Sequence, residues 1–208
     1  AAAGGPARDL NEAYNIVDYV PDGDSYKDRW AADAADFRRL EEGLGRAYLN
    51  VPYGAAARQR HDLFYPAGRP EGLVVFVHGG YWRRFDRSFW SHFAAGPVRS
   101  TRCLPSSPVA DLRPLVDLEL NATLRLDQEE AAAESPLLGR PRAGVSLSIW
   151  VGADERPVFL DQARWLAEAW GAPLHVPDGL HHFDVIDGLQ LRDSDLTRDL
   201  LDPAMAPG

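Results

Sequence analysis

Leu73-Val74-Val75-Phe76-Val77-His78-Gly79-Gly80-Tyr81-Trp82 is the stretch on which the fold turns. Its first five residues are apolar and mostly β-branched, with no polar alternation. Such a run predicts a strand buried on both faces, as in the middle of a parallel sheet. Gly79-Gly80 follows almost at once. Paired glycines after a buried strand let backbone N–H groups turn inward with no Cβ in the way. Those donors can stabilise the negative oxygen of a tetrahedral intermediate. A tight strand-to-helix turn is the plainer use of the same glycines, but the flanking histidine and aromatics favour an oxyanion loop. Gly79, Gly80 and Tyr81 are therefore candidate oxyanion donors, and His78 and Trp82 candidate substrate contacts.

Upstream, residues 1–10 are small and Gly/Ala-rich, and are expected to be disordered. From Asn11 to about Leu44 the pattern is helical, with Tyr26, Trp30, Ala34, Phe37 and Leu40 on one face. Tyr48–Tyr53 and Arg58–Tyr65 predict two strands around Gly54-Ala55. Downstream, Asp86 is placed to cap a short helix reaching Ala95. Ser107–Leu115 reads as a loop entering a helix, and Leu126–Ser135 as a short helix with Asp127 as its cap. Ser146–Val151 predicts a strand, Pro157–Trp170 a helix with proline in its first turn, and Leu174–Val176 a short strand. Phe183–Leu189 and Leu196–Leu201 predict short helices. No repeat or second-domain boundary is visible, so residues 11–208 are expected to form a single domain. Strands alternating with helices predict an α/β fold, a mainly parallel sheet with helices on both faces.

In such sheets function collects at the carboxyl ends of the strands. One such loop is the glycine pair. A second holds Asp154-Glu155-Arg156-Pro157. An acid there can orient a catalytic imidazole, although acids before Pro157 also suit a helix N-terminus. Asp154 and Glu155 both remain candidates. The third loop carries His181-His182-Phe183, and a histidine after the last strand is where a hydrolase keeps its general base. Vicinal histidines can also bind metal, but no Cys or His partner stands at a ligand spacing, so no metal site is expected.

The chain has 208 residues, a formal net charge of -9 and a pI near 5.1. That charge repels phosphate backbones and gives no attraction to anionic membranes, so neither is an expected partner. Cys103 is the lone cysteine, which fits a reducing compartment. No signal peptide or apolar run long enough to span a bilayer is visible, so a cytoplasmic location is expected. Nothing decides between a monomer and a homodimer.

Four stretches together resemble kynurenine formamidase (arylformamidase) and its bacterial esterase-like relatives. They are Gly72–Trp82, Ser107–Leu115, Gly152–Trp170 and His181–Leu189. Tyr14-Asn15, Val20-Pro21-Asp22, Pro52-Tyr53-Gly54 and Arg58–Leu63 add to the likeness, which runs from about residue 11 onward. The resemblance implies an α/β-hydrolase fold and a serine hydrolase of small formamides or esters. The family's reaction releases formate from N-formyl-kynurenine in tryptophan catabolism, without a cofactor. By position it implies His182 as base, Glu155 as the better-aligned acid, and donors at Gly79, Gly80 and Tyr81.

The family's nucleophile sits in a G-x-S-x-G elbow between the glycine-pair strand and the Ser-Pro segment, and this chain has no such motif. Each strand–helix–strand unit needs about 30 residues. Only Gly96–Ser106 lies between the first short helix and the Ser-Pro loop. The reading is therefore either a sequence artefact or a recent internal deletion, with its junction near 97–105, by which two central strand–helix units, roughly 60 to 70 residues, are missing. Cys103, Ser106 and Ser107 are the substitutes in the right chain order, but none has an elbow's glycines. The expectation is a hydrolase by lineage that is inactive or nearly so. The alternatives are a ligand-binding pseudoenzyme whose Tyr81, Trp82, Phe89 and Trp90 line an aromatic pocket, or a chain that does not fold stably.

Overall fold

A computed structural model describes residues 9–69, 73–81, 84–96, 102–143 and 145–201. The described residues divide into two compact units, one within 9–23 and 103–185, the other within 24–102 and 186–201.

The first unit is built on a strand–helix–strand crossover. Ile149–Trp150 pairs in parallel with Leu174–His175, and Ser106 forms a parallel bridge to Trp150 on the other side. The helix Pro157–Trp170 joins the two strands, starting on proline and ending at Gly171 in a left-handed turn (φ 62°). Ile149, Val151, Phe159, Ala163 and Leu166 are all buried. The helix thus lays its apolar face on the strands.

Gln162 is wholly buried on the same helix, and its amide is fully used. Its Oε1 accepts from the backbone N–H groups of Ala110 (2.9 Å) and Asp111 (2.7 Å), while Nε2 donates to Tyr14 Oη (2.9 Å) and the Asp111 carbonyl (3.1 Å). One side chain therefore ties the N-terminal segment and the Ser-Pro loop to the crossover helix. Burial pushes the Tyr14 phenol above its usual range, and the bond from Gln162 partly offsets this. Gln128–Ala133 is a helix closed by the expected Asp127, in a reciprocal capping box with Glu130.

The second unit packs the long helix Ser25–Gly43 against two 3-10 turns, Arg87–Phe89 and Ser91–Ala95. Trp30, Trp90 and Phe93 form its buried aromatic centre, with Trp30 and Trp90 ring centroids 4.6 Å apart. Ala47–Pro52 and Arg60–Phe64 form the expected antiparallel hairpin. Asp86 does cap, accepting from Ser88 N–H, but starts a 3-10 turn and not an α-helix. Asp195–Leu201 closes this unit.

Several expectations need correction. Leu73–Val77 is not a strand and is not buried. Val75 is 74% exposed and Val77 85%, and residues 73–79 make no backbone hydrogen bond to the backbone of another described residue. The physical reason is pairing: a doubly buried strand needs a ladder on each edge, and among the described residues no strand lies beside it. The described sheets are two-stranded, not one extended parallel sheet.

The helix expected from Asn11 is two helices, Leu10–Ala13 and Ser25–Gly43. The first ends with Tyr14 at its C-cap, and Pro21, Asp22 (φ 53°) and Gly23 lie in the turns before the second, where a Cβ on Gly23 would lie 2.3 Å from the Val17 carbonyl oxygen. Asp9 caps the first helix, so order begins before residue 11, while residues 1–8 lie outside the described residues. The strand expected at 146–151 is interrupted between Leu147 and Ile149, and residues 183–189 form turns leading into the 3-10 segment Asp187–Gln190. Of the expected junction, residues 97–101 lie outside the described residues. Among the described residues no helix is long and apolar enough to cross a membrane.

His92 gives the second unit a pH dependence. It is 4% exposed and neither ring nitrogen has a partner among the described residues. Burial pushes its imidazole below the ordinary range, Asp33 opposing and Arg29 adding to that. An unfolded histidine protonates near about 6.5. Below that pH the unfolded chain binds the extra proton first, so stability is lost as pH falls through and below 6.5. Urea midpoints at pH 8 and pH 5.5 are expected to differ more in the wild type than in His92→Leu. An equal pH response in both proteins would contradict this.

Candidate active site

The acid loop and the histidine loop of the first unit are zipped together by their backbones. Val151 N–H donates to the His175 carbonyl (3.1 Å), Ala153 N–H to Pro177 (2.9 Å) and Asp154 N–H to Leu180 (2.9 Å). Gly152 is required in this close approach, since a Cβ there would lie 2.1 Å from the Leu180 carbonyl oxygen. These bonds carry the two loops away from the carboxyl ends of their parallel strands in parallel, and bring Glu155 to His182.

His182 Nδ1 lies 2.7 Å from Glu155 Oε2. A carboxylate only accepts, so Nδ1 carries the proton and donates. That leaves the Nε2 lone pair available, and Nε2 has no hydrogen-bond partner among the described residues. The Glu155 side chain is wholly out of solvent, while that of His182 is 22% exposed. Phe159 packs on the imidazole at 4.6 Å between ring centroids. The arrangement is a buried acid orienting a half-open imidazole, the geometry of a general base.

Asp154 and Glu155, left open by sequence, are separated by position. Asp154 is exposed, and its carboxylate has no hydrogen-bond or ion-pair partner among the described residues. Neither acid caps the following helix, whose N-cap Arg156 makes no side-chain cap bond. The vicinal histidines also part company. His181 Nδ1 accepts from the N–H groups of Phe183 (3.2 Å) and Asp184 (3.4 Å), and Asp184 accepts from His181 N–H (2.6 Å). His181 thus builds the turn that holds His182. Among the described residues no cluster suited to a metal ion occurs.

The glycine pair belongs to the second unit. Gly80 has φ 111°, and a Cβ on it would lie 2.5 Å from the Arg84 carbonyl oxygen. Glycine is thus needed there, as the motif implied. Tyr81 is itself left-handed (φ 50°), and His78 stacks on Trp90 with ring planes 10° apart. Trp82 lies outside the described residues.

No family model matches the chain. A kynurenine formamidase of Salmo salar is 36% identical over 58 residues, which is 27% of this chain and 19% of that protein. The matched part thus spans about a fifth of that relative. A candidate thioesterase of Silicibacter sp. TM1040, known from its crystal structure, superposes with a TM-score of 0.86 at 34% identity, covering 92% of this chain and 98% of that one. The chain belongs to the family of that bacterial protein. Both relatives carry hydrolase names, and hydrolase is the class that they support.

For a member of a hydrolase family, the remaining question is the nucleophile. Cys103 is exposed, but desolvation pushes its thiol above the ordinary value, away from the reactive thiolate. Ser106 Oγ is buried without a partner among the described residues. Ser107 Oγ donates to Glu155 Oε1, not to His182. A nucleophile must give its proton to the base. None of the three hydroxyl or thiol groups is so placed. Ser107 is nevertheless a functional candidate in a role that sequence reading missed. Its only sequence signal was the Ser-Pro turn directly after Gly96–Ser106.

Proposed function

We propose that the chain descends from a serine-type hydrolase of small acyl substrates, among them aryl formamides and carboxylic esters. In this reading it retains the acid and base but lacks the nucleophile. The observation that carries it is the 2.7 Å contact of His182 Nδ1 with a fully buried Glu155, on loops at the carboxyl ends of parallel strands. A carboxylate there fixes the tautomer and stabilises the imidazolium that forms when the base takes a proton. Gly79, Gly80 and Tyr81 are assigned as oxyanion donors, and His78 and Trp82 as substrate contacts, on the sequence motif. The relatives' names extend the substrate class to thioesters, which share the acyl carbon and the tetrahedral intermediate.

In an intact site, His182 Nε2 would take the serine proton and return it to the leaving group. Here a bound ester meets a base without a hydroxyl to activate. The unpaired, exposed Leu73–Val77 run agrees with loss of the strands that would flank it. The missing nucleophile also favours a second reading, a pseudoenzyme that binds such substrates without turning them over.

The gene and transcript, read across the codons for Gly96 to Pro108, test the lost elbow. The reading expects coding sequence for a strand, a G-x-S-x-G turn and a helix at that junction, intact in the gene or left there as a remnant. An uninterrupted junction in every copy, with no trace of such a segment, would mean an adapted smaller protein instead.

A further inference from the structure

Glu155 receives more than its histidine. Its Oε1 accepts from Gly152 N–H (3.1 Å) and from Ser107 O–H, and its Oε2 faces His182 Nδ1 (2.7 Å). A buried carboxylate needs its lone pairs met, and donors on one oxygen fix the rotation that aims the other. Ser107 does this from an unusual backbone. Its φ is 45°, the left-handed region, while its N–H is held by the Trp150 carbonyl at 2.7 Å. An L-residue there is strained in a way that glycine would avoid. Strained residues of this kind gather at functional sites. The conformation lets the backbone continue its pairing with Trp150 while the hydroxyl turns to Glu155.

We propose that Ser107 is a positioning residue: its hydroxyl clamps one oxygen of Glu155 so that the other holds the His182 imidazole in its Nδ1–H tautomer. The proposal rests on the acid–base reading above. It assigns the Ser-Pro segment a task in that site, and it removes Ser107 from the list of substitute nucleophiles, because its proton is already committed to the acid.

The test is proton NMR of the full chain, following the downfield Nδ1–H resonance of His182, assigned by its loss in His182→Gln. The variants are Ser107→Ala, which keeps the strain, and Ser107→Gly, which relieves it. The expected result is that Ser107→Gly melts cooperatively at or above the wild-type Tm, yet the resonance is lost to exchange in both variants. A sharp, unshifted resonance in folded Ser107→Gly would overturn the proposal. So would loss of cooperative folding in Ser107→Gly, which would make the hydroxyl an anchor of the fold. If the wild type itself lacks the resonance while Glu155→Gln leaves the spectrum unchanged, the acid–base reading fails, and the proposal with it.

Discussion

The chain is expected to hydrolyse p-nitrophenyl acetate at no more than a weak residual rate, and His182→Ala is expected to lower it only by the share that the imidazole itself supplies. The reasoning is one of interdependence. In a nucleophile–base–acid set the members act as a unit, and removing the nucleophile alone can cost on the order of 10^6 in kcat. What survives is the contribution of donors and binding, roughly 10^3 to 10^4 over water. Here Glu155 and His182 are in contact, but the nearest candidate hydroxyl is on the wrong partner, since Ser107 Oγ donates to Glu155. The imidazole can still attack an activated aryl ester directly through its free Nε2, so the phenolate leaving group gives the assay its best chance of a signal. Saturating turnover at ordinary enzyme rates, unaffected by His182→Ala, would contradict the assignment of both the base and the missing nucleophile.

Gln162→Leu is expected to be the most damaging single change to the first unit. Leucine fills similar volume but offers no polar atom. It would leave the N–H groups of Ala110 and Asp111 and the Asp111 carbonyl without their present partner in a dry core. Each buried orphan costs about 1–3 kcal/mol. The sum, roughly 3–9 kcal/mol, is a large fraction of the about 5–15 kcal/mol that holds a typical domain together. It also removes the bond from Gln162 Nε2 to Tyr14 Oη. Urea unfolding of Gln162→Leu against the wild type checks this, and a loss below about 1 kcal/mol would mean that other groups replace the amide.

Local signals were legible where they were self-contained. Pro157–Trp170 is predicted to the residue, because proline at its start, glycine after its end and a regular apolar stripe all act within the helix. Asp127 caps for the same reason. Leu73–Val77 fails because a central strand is a statement about neighbours, and its own residues do not reveal whether those neighbours exist. The expected N-terminal helix stops at Ala13 and resumes at Ser25, since its apolar period begins only at Tyr26 and Pro21–Gly23 supply turn residues before it. At the site, residue types and order pointed to the pair His181-His182 and to an acid nearby, and only the family resemblance singled out His182. Choosing Glu155 over Asp154 needed the loop geometry that turns one carboxylate inward and leaves the next exposed. Ser107 was illegible, since its role depends on a left-handed turn and a partner 48 positions away.

The most direct test of an acid–base pair without a nucleophile is covalent. The purified 208-residue chain is treated with a fluorophosphonate and its intact mass is read. The account predicts an unchanged mass, because among the described residues no serine hydroxyl is hydrogen-bonded to His182, and Ser107 gives its proton to Glu155. A stoichiometric adduct on a serine, abolished by His182→Ala, would show a working nucleophile and contradict it.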